Sequence, residues 1–290
     1  PFIKQSERVQ DREFLGKIKR LEASMNEDER SVWVRDFRWN TYENQQTAKL
    51  LASDLEYALS KGALELYYQP QVKRDGTLYG CEALLRWNYM GQGFVYPPLI
   101  IALAVQGDFI GSLGMYIVEK ACRDMAGAHT QAGCPVSFSV NILPLELEDP
   151  SFADHVLRIL KDTGVEGSNL TIELTEQVAL NPGPNLERQL EKLRESRVRI
   201  SMDDFGMGHG SLNYLNSAHY DEVKIDGSLI RRLPEHTQTC ELVGNIMNMS
   251  RILGVSTVAE CVETPEQIQM LEKLGCSIYQ GYYYSRPLPL

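Results

Sequence analysis

The sequence lacks any apolar run as long as the about 18 to 20 residues that a membrane-spanning helix requires. We therefore expect no membrane span within this chain. It also lacks a recognisable signal peptide and begins with Pro1 rather than Met, which favours a piece of a longer protein. We expect a cytoplasmic location and an upstream sensor or signalling domain, with any membrane tether lying outside this piece.

Paired cysteines are also missing. The six cysteines are scattered, no two of them form a Cys-x-x-Cys pair, and the five histidines do not cluster at ligand spacings. A structural zinc site is therefore not expected. A chain of 290 residues does not need disulfides for stability, so we expect the cysteines to be reduced.

An excess of positive charge is absent as well. Lysine and arginine number 29 against 39 aspartates and glutamates, and the formal net charge is −10. Binding to DNA or RNA polymers depends on basic patches that neutralise phosphates, so this class of partner is not expected. The charge remains compatible with a small phosphorylated ligand that is held through bound metal ions.

The order of predicted elements indicates an α/β protein. Residues 1–46 are polar and charged, and we interpret them as a linker or helical tail of an upstream region; residues 47–290 form the main domain. A first helix starts at Thr47, places Leu50, Leu51, Leu55, Ala58 and Leu59 on one face and ends at Gly62, after which strands and helices alternate. About eight strands in this alternation predict a TIM-like (β/α)8 barrel. The strands are predicted at 64–72, 77–87, 135–141, 169–175, 198–203, 222–225, 255–260 and 277–280.

Acidic or amide side chains stand at the ends of most of these strands. Barrel active sites lie at the rim where the strands end, and carboxylate oxygens suit hard divalent cations. The pattern therefore predicts a metal site at this rim. Taken alone, Asp203 and Asp204 would also fit an exposed turn in which Asp204 caps the next helix. The strand-end residues are Asn141, Glu173, Asp203, Asp204, Lys224, Glu260 and Gln280.

Glu82 interrupts the apolar run Cys81–Leu85 of the second predicted strand. A glutamate inside a buried strand requires a partner. An exposed position on the polar face of the strand is the alternative, but its same-face neighbours Gly80 and Leu84 are not polar.

Glycines follow the aspartate pair in Asp203-Asp204-Phe205-Gly206-Met207-Gly208-His209-Gly210. Their spacing is not the G-x-G-x-x-G of dinucleotide-binding loops, and two aspartates would repel a pyrophosphate. A mobile loop beside the metals is the better interpretation.

The ordered motifs resemble those of the EAL domain, a family of bacterial cyclic di-GMP phosphodiesterases, over about residues 47–290. The motifs are Tyr68-Gln69-Pro70, Glu82-Ala83-Leu84-Leu85-Arg86-Trp87, Ser139-Val140-Asn141, Glu173-Leu174-Thr175-Glu176, Asp203-Asp204-Phe205-Gly206, Lys224-Ile225-Asp226, Ala259-Glu260, Val262-Glu263-Thr264 and Gln280-Gly281-Tyr282. The resemblance implies a barrel whose first strand is antiparallel to the others. It also implies metal-dependent hydrolysis of cyclic di-GMP to linear pGpG.

The same resemblance implies the site residues. Two Mg²⁺ or Mn²⁺ ions would be held by Glu82, Asn141, Glu173, Asp203, Asp204 and Glu260. Asp203 would bridge both ions, and Ca²⁺ would bind but inhibit. Roles in catalysis are implied for Lys224, Glu260, Glu176 and Gln280: Lys224 at the attacking water, Glu176 as a brace of the glycine loop, and Gln280 in the water network. Gln69 and Arg86 would contact the substrate, Arg86 through a phosphate.

The sequence departs from the family pattern beside the aspartate pair. Met207, His209 and Gly210 replace the usual Thr, Tyr and Ser, and Cys261 replaces a Gly. The alternative to an enzyme is therefore an inactive or weak EAL domain that acts as a cyclic di-GMP receptor or a protein-interaction module. A barrel metalloenzyme acting on another phosphate ester is a third hypothesis. The family also implies a homodimer, with Tyr214, Leu215 and Tyr220 as candidate contacts. Packing of these side chains inside the barrel shell is the alternative.

Overall fold

The computed structural model describes residues 42–89, 93–132, 136–176, 184–206, 220–233 and 236–290. Strands β1 (Glu65–Lys73) and β2 (Leu78–Asn88) are joined by a tight turn. Asp75 stabilises this turn, because its Oδ1 accepts hydrogen bonds from the backbone N–H and the hydroxyl of Thr77, at 3.0 and 2.6 Å. Gly76 has a φ of 82°, which is unstrained only for glycine. The turn reverses the chain, so that β1 runs against the strands that follow.

The remaining strands of the barrel are parallel to β2. They are β4 (Phe138–Asn141), β5 (Leu170–Thr175), β6 (Arg199–Phe205), β7 (Glu222–Ile225), β8 (Ser256–Ala259) and β9 (Ile278–Gln280). The barrel closes because β1 pairs with β9 in antiparallel register and also with β2. The predicted TIM-like barrel with an antiparallel first strand is confirmed. Two short strands extend the sheet, β3 (Phe94–Val95) beside β2 and β10 (Leu288–Pro289) beside β1.

Helices alternate with the strands along the chain. They are α1 (Tyr42–Ser60), α2 (Pro97–Gln106), α3 (Ile110–Ala132), α4 (Pro144–Leu147), α5 (Phe152–Thr163), α6 (Pro184–Glu195), α7 (Gly227–Arg232), α8 (Thr237–Leu253) and α9 (Pro265–Leu274). Helix α9 shows why such segments fold locally. Thr264 caps its N-terminus in a capping box with Gln267, and Gly275 ends it in the left-handed conformation.

The two faces of a barrel strand lie in different environments, an apolar one toward the helices and a polar one inside the barrel. In β7, Val223 and Ile225 are fully buried and belong to one apolar cluster with Val243 and Ile246 of α8. Burying side chains of this kind contributes about 1.5 to 3 kcal/mol each. The alternate residue Lys224 points to the opposite face of the strand, into the barrel. The apolar shell packed between strands and helices therefore stabilises the same strands whose inner faces form the polar interior of the barrel.

The described chain divides into two compact units. One contains the barrel strands and helices α3 to α9. In the other, α1 and α2 contribute the buried side chains of Leu51, Leu55, Ile100 and Leu103. The hydroxyl of Tyr89 donates to Asp54 of α1 at 2.8 Å in that same unit.

Most predicted elements occur within a few residues of their expected bounds. Leu50 is an error, since it is 68% exposed and lies off the buried face that Leu51 and Leu55 define. The prediction missed α2, whose apolar run after Pro97 and Pro98 lacks an amphipathic pattern. The predicted domain boundary at residue 46 stays a prediction, as do the dimer contacts Tyr214 and Leu215, which lie outside the described residues. Tyr220 is half-buried and packs against the apolar cluster that contains Val223 and Ile225. In the described ranges, no helix has the length and apolarity to cross a membrane.

The barrel end opposite the rim is closed by a charged network. Glu222, 1% exposed, accepts a hydrogen bond from the Tyr79 hydroxyl at 2.7 Å and pairs with Arg199 at 3.3 Å. Arg199 also donates to the Tyr79 hydroxyl. Because these groups satisfy one another, the buried charge is tolerated.

Gly281 packs against the backbone of Val262, where an added Cβ would lie 2.1 Å from the Val262 oxygen. We predict that Gly281→Ala lowers the free energy of unfolding by about 1 to 3 kcal/mol, because backbone atoms must move. Gly127, in the middle of α3 with nothing within 4 Å, provides the control. Gly127→Ala should raise stability by about 0.5 to 1 kcal/mol. Urea denaturation measures both, and equal effects would contradict the close packing at Gly281.

Candidate functional site

Lys224 stands at the centre of the polar rim. It lies on β7, is 0% exposed, and its Nζ is surrounded by carboxylates from four other strand ends. The distances are 2.7 Å to Glu260 Oε1, 2.8 Å to Glu173 Oε2, and 3.3 Å to both Glu82 Oε2 and Asp203 Oδ1. We call these five residues the lysine cluster. The structure thus brings together five of the predicted site residues.

Amide side chains donate further hydrogen bonds to Glu82. Asn141 Nδ2 donates to Glu82 Oε1 at 2.7 Å, and Gln280 Nε2 donates to Glu82 Oε2. Gln280 also donates to Gln69 Oε1 at 3.2 Å. Glu82 therefore has the partners that its place in an apolar run required, and its carboxylate stays oriented toward Lys224.

Gln71 is a member of this network that the sequence interpretation missed. Its Nε2 donates to Gln280 Oε1 at 3.0 Å, and the side chain is 3% exposed. The available signal was its position two residues after Gln69, on the same face of a strand with period two.

The charges in the lysine cluster do not balance. Burial opposes ionisation of Glu82, but the charge of Lys224 and the hydrogen bonds from Gln280 and Asn141 leave its pKa below the ordinary value. For Glu173 and Glu260, burial and neighbouring carboxylates raise the pKa well above the ordinary value. Burial works against the ammonium of Lys224, yet the surrounding carboxylates raise its pKa. One lysine therefore cannot stabilise all these acids in their charged form.

Asp203 shows the consequence for stability. Burial, with the charges of Asp204 and Glu82, raises the pKa of Asp203 from 3.8 to about 6. A carboxyl whose pKa is higher in the folded state than in the unfolded state binds its proton more tightly when folded. This group therefore lowers the stability of the metal-free fold as the pH rises from about 4 to about 6.

The donor set fits hard divalent cations in chemistry and in charge. Glu173 Oε1 is buried without a hydrogen-bond partner, Asp203 Oδ1 has the ion pair with Lys224 but no hydrogen bond, and four carboxylates share one ammonium. Two divalent ions would offset the excess, and oxygen donors are what Mg²⁺ and Mn²⁺ prefer. Lys224 now draws the carboxylates inward, and across the described ranges no three His, Cys, Asp or Glu side chains form a preassembled metal geometry.

The glycine loop begins beside this cluster. Gly206 has a φ of 98°, and its N–H donates to Glu176 Oε2 at 3.3 Å. Asp204 also has a positive φ, 58°, a conformation that aspartate tolerates better than most residues. The departures Met207, His209 and Gly210 fall outside the described residues.

Arg86 lies on β2 four residues after Glu82 and is half-buried. It belongs to the unit that contains α1 and α2, so its predicted contact with substrate phosphate stays a prediction. Gln69 is buried, and its Nε2 donates to the carbonyl of Ser285 at 3.2 Å. Both polar ends of Gln69 are thus bonded within the protein.

Comparison with known proteins identifies the family. The model of the EAL domain matches residues 52–287. The chain belongs to the EAL domain family. The tripeptide Glu82-Ala83-Leu84 is therefore the Glu-Ala-Leu of this EAL domain, and its glutamate is the one that Asn141, Gln280 and Lys224 contact.

Relatives of this EAL domain include much longer proteins. It is 36% identical over 241 residues to the cyclic di-GMP phosphodiesterase NbdA of Pseudomonas aeruginosa and 35% identical over 241 residues to the oxygen sensor protein DosP of Escherichia coli. Each match covers 83% of this chain but only 31% and 30% of those proteins. A solved structure of PaMucR phosphodiesterase in complex with c-di-GMP matches with a TM-score of 0.78 and 34% identity, over 83% of this chain and 98% of that chain.

Two equally buried glutamates allow the effect of the charge imbalance on the free energy of unfolding to be measured. Glu173 and Glu222 are each 1% exposed, but only Glu222 is charge-balanced, by Arg199. In metal-free protein near pH 7.5, we predict that Glu173→Gln leaves the free energy of unfolding unchanged or raises it by up to about 2 kcal/mol. Glu222→Gln should lower it by about 1 to 3 kcal/mol. Chemical denaturation in chelator gives both values; an equal loss in the two variants would contradict the charge imbalance.

Proposed function

We propose that this EAL domain hydrolyses cyclic di-GMP to linear pGpG with two bound Mg²⁺ or Mn²⁺ ions. The observation that carries the proposal is the lysine cluster, in which buried carboxylates outnumber the single ammonium that they share. The names of NbdA and of the PaMucR complex support cyclic di-GMP as the ligand class. The acidic rim by itself would repel a phosphodiester, so the cations are a condition for binding it.

The residues divide between two metal positions. Glu82, Asn141, Glu173 and Asp203 would hold one ion, and Asp203, Asp204 and Glu260 the other. A pair of divalent ions lowers the pKa of a bound water and stabilises the charge that develops on phosphate oxygens. The protein supplies fixed oxygen donors, placed on consecutive strands whose pairing limits their movement.

Lys224 is a cation in the metal-free site, because its neighbouring carboxylates hold its pKa above the ordinary value. In the reaction it would orient the attacking water and the carboxylates. Gln69 and Gln280 would position substrate and water from the neighbouring amide network, Glu176 would hold the start of the glycine loop through Gly206, and Arg86 would bind a phosphate.

A receptor that binds cyclic di-GMP without turnover is the second candidate function. It is favoured by Cys261, which follows Glu260 directly and has a φ of 52°. A non-glycine residue in this conformation costs about 1 to 2 kcal/mol, and the strain bears on a proposed metal ligand. We also propose a homodimer and an upstream sensor domain in the longer protein, in keeping with the multidomain length of the relatives.

Asp203→Asn and Lys224→Ala separate the enzyme from the receptor. We predict folded variants in which hydrolysis falls by about 10² to 10⁴-fold, the scale for losing a positioned catalytic group. Lys224→Ala should still bind cyclic di-GMP in Ca²⁺, whose looser coordination supports binding but not turnover. Product chromatography measures pGpG, and Lys192→Ala, at an exposed ion pair with Asp154, is the matched control. Binding by the parent protein with no pGpG in either Mg²⁺ or Mn²⁺ would favour the receptor.

Arg86→Ala tests recognition of the ligand. Because Arg pairs with phosphate through two parallel hydrogen bonds, we predict that the variant binds cyclic di-GMP at least about tenfold more weakly, while its affinity for Mn²⁺ is unchanged. Calorimetry measures both affinities separately. Arg123→Ala, at an exposed ion pair with Glu119, should change neither. Undiminished nucleotide binding by Arg86→Ala would place the phosphate site elsewhere.

A further inference from the structure

Glu146 is a buried acid that the proposed chemistry does not use. It lies on the short helix α4, just after β4, and is 4% exposed. Its Oε2 accepts a hydrogen bond from the backbone N–H of Leu143 at 2.8 Å. Its Oε1 has no hydrogen-bond partner. Leu143, at the cap position of this helix, has no polar side chain, so Glu146 alone caps the turn.

The carboxyl group lies against the backbone of α3. A Cβ added at Gly114 would fall 1.4 Å from Glu146 Oε1, so this glycine provides the space for the acid. The niche offers Oε1 no donor and no cation. A neutral carboxylic acid tolerates such surroundings far better than a carboxylate, because burying an unpaired charge is much more costly than burying a neutral polar group.

The capped turn leads directly to the candidate site. Asn141, which donates to Glu82 at 2.7 Å, is two residues before Leu143. Between them, the N–H of Ile142 donates to the carbonyl of Glu173 at 3.0 Å. Hydrogen bonds thus connect the segment 141–143 to the lysine cluster at one end and to Glu146 at the other end.

We propose that Glu146 is a positioning residue that, as a neutral acid, holds the β4–α4 turn and with it Asn141, and that loosens this turn when it ionises at alkaline pH. The part that concerns Asn141 as a metal ligand rests on the proposed function. The part that concerns the turn does not depend on it.

The electrostatics of the niche agree with this role. Burial raises the pKa of Glu146 from 4.5 to about 8, and the hydrogen bond from Leu143 offsets only a part of this rise. No charged side chain of α3, α5 or α6, within the residues that the structure describes, contributes to the shift. Just after α4, the acid Glu148 is exposed. Because the folded state holds the proton more tightly, Glu146 stabilises the fold least above its folded pKa.

Glu146→Gln tests the turn without reference to activity, since the amide can accept from Leu143 but cannot ionise. We expect the ratio of the unfolding constants, natural protein over Glu146→Gln, to rise about tenfold per pH unit between roughly pH 5 and pH 8 and to level off above that. Glu148→Gln, at an exposed position just after α4, is the control, and we expect its ratio to change less with pH than that of Glu146→Gln. A ratio for Glu146→Gln that is constant between pH 6 and pH 9 would overturn the proposal.

Glu146→Ala tests the link to Asn141. It removes the acceptor of the Leu143 N–H, and we expect Mn²⁺ affinity by calorimetry at pH 7 to fall about tenfold, the scale for losing a group that orients a metal ligand. Glu146→Gln should restore the affinity. A folded Glu146→Ala protein that binds Mn²⁺ like the parent would overturn the positioning role. If the parent itself binds no Mn²⁺, the proposed function fails, while the pH dependence of unfolding still decides the role of Glu146 in the turn.

Discussion

The structure depends on a buried ammonium. Lys224 is 0% exposed, and a lysine at such a position is tolerated only if opposite charges surround it. Four strand ends supply them, and their carboxylates converge within 3.3 Å of one nitrogen. A single pair of strands could not bring these groups together, because their residues are spread from Glu82 to Glu260. The contacts of Lys224 therefore depend on barrel closure.

The strands that form the polar interior are stabilised by an apolar shell on their other face. In β7, Lys224 and Glu222 face inward while Val223 and Ile225 pack with α8. The two buried charges of this strand differ in kind. Glu222 is balanced by Arg199 and Tyr79, whereas the acids around Lys224 exceed their cation. The balanced end of the barrel and the apolar shell stabilise the fold. The carboxylates at the rim repel one another, and bound cations would reduce this repulsion.

The sequence predicted the barrel and all five members of the lysine cluster because both leave one-dimensional signals. Strands and helices alternate, polar residues recur at strand ends, and Glu82 interrupts an apolar run. It did not predict Gln71 or Glu146, whose importance depends on which side chains the fold brings beside them. Gln71 is part of the site network only through its hydrogen bond with Gln280, which is 209 residues away. Glu146 is buried in a space that exists because Gly114 has no side chain. Helix α2 was missed because a continuously apolar segment carries no period that separates helix from strand.

The choice between enzyme and receptor also has an electrostatic side. A cyclic dinucleotide carries negative phosphates, and the rim places four carboxylates around one ammonium. Without cations, a receptor would have to overcome this repulsion in a site where burial weakens screening. In the proposed function, bound cations would offset this repulsion. Only steps after binding distinguish the enzyme from the receptor, which places the decision with Lys224, the residue proposed to orient the attacking water.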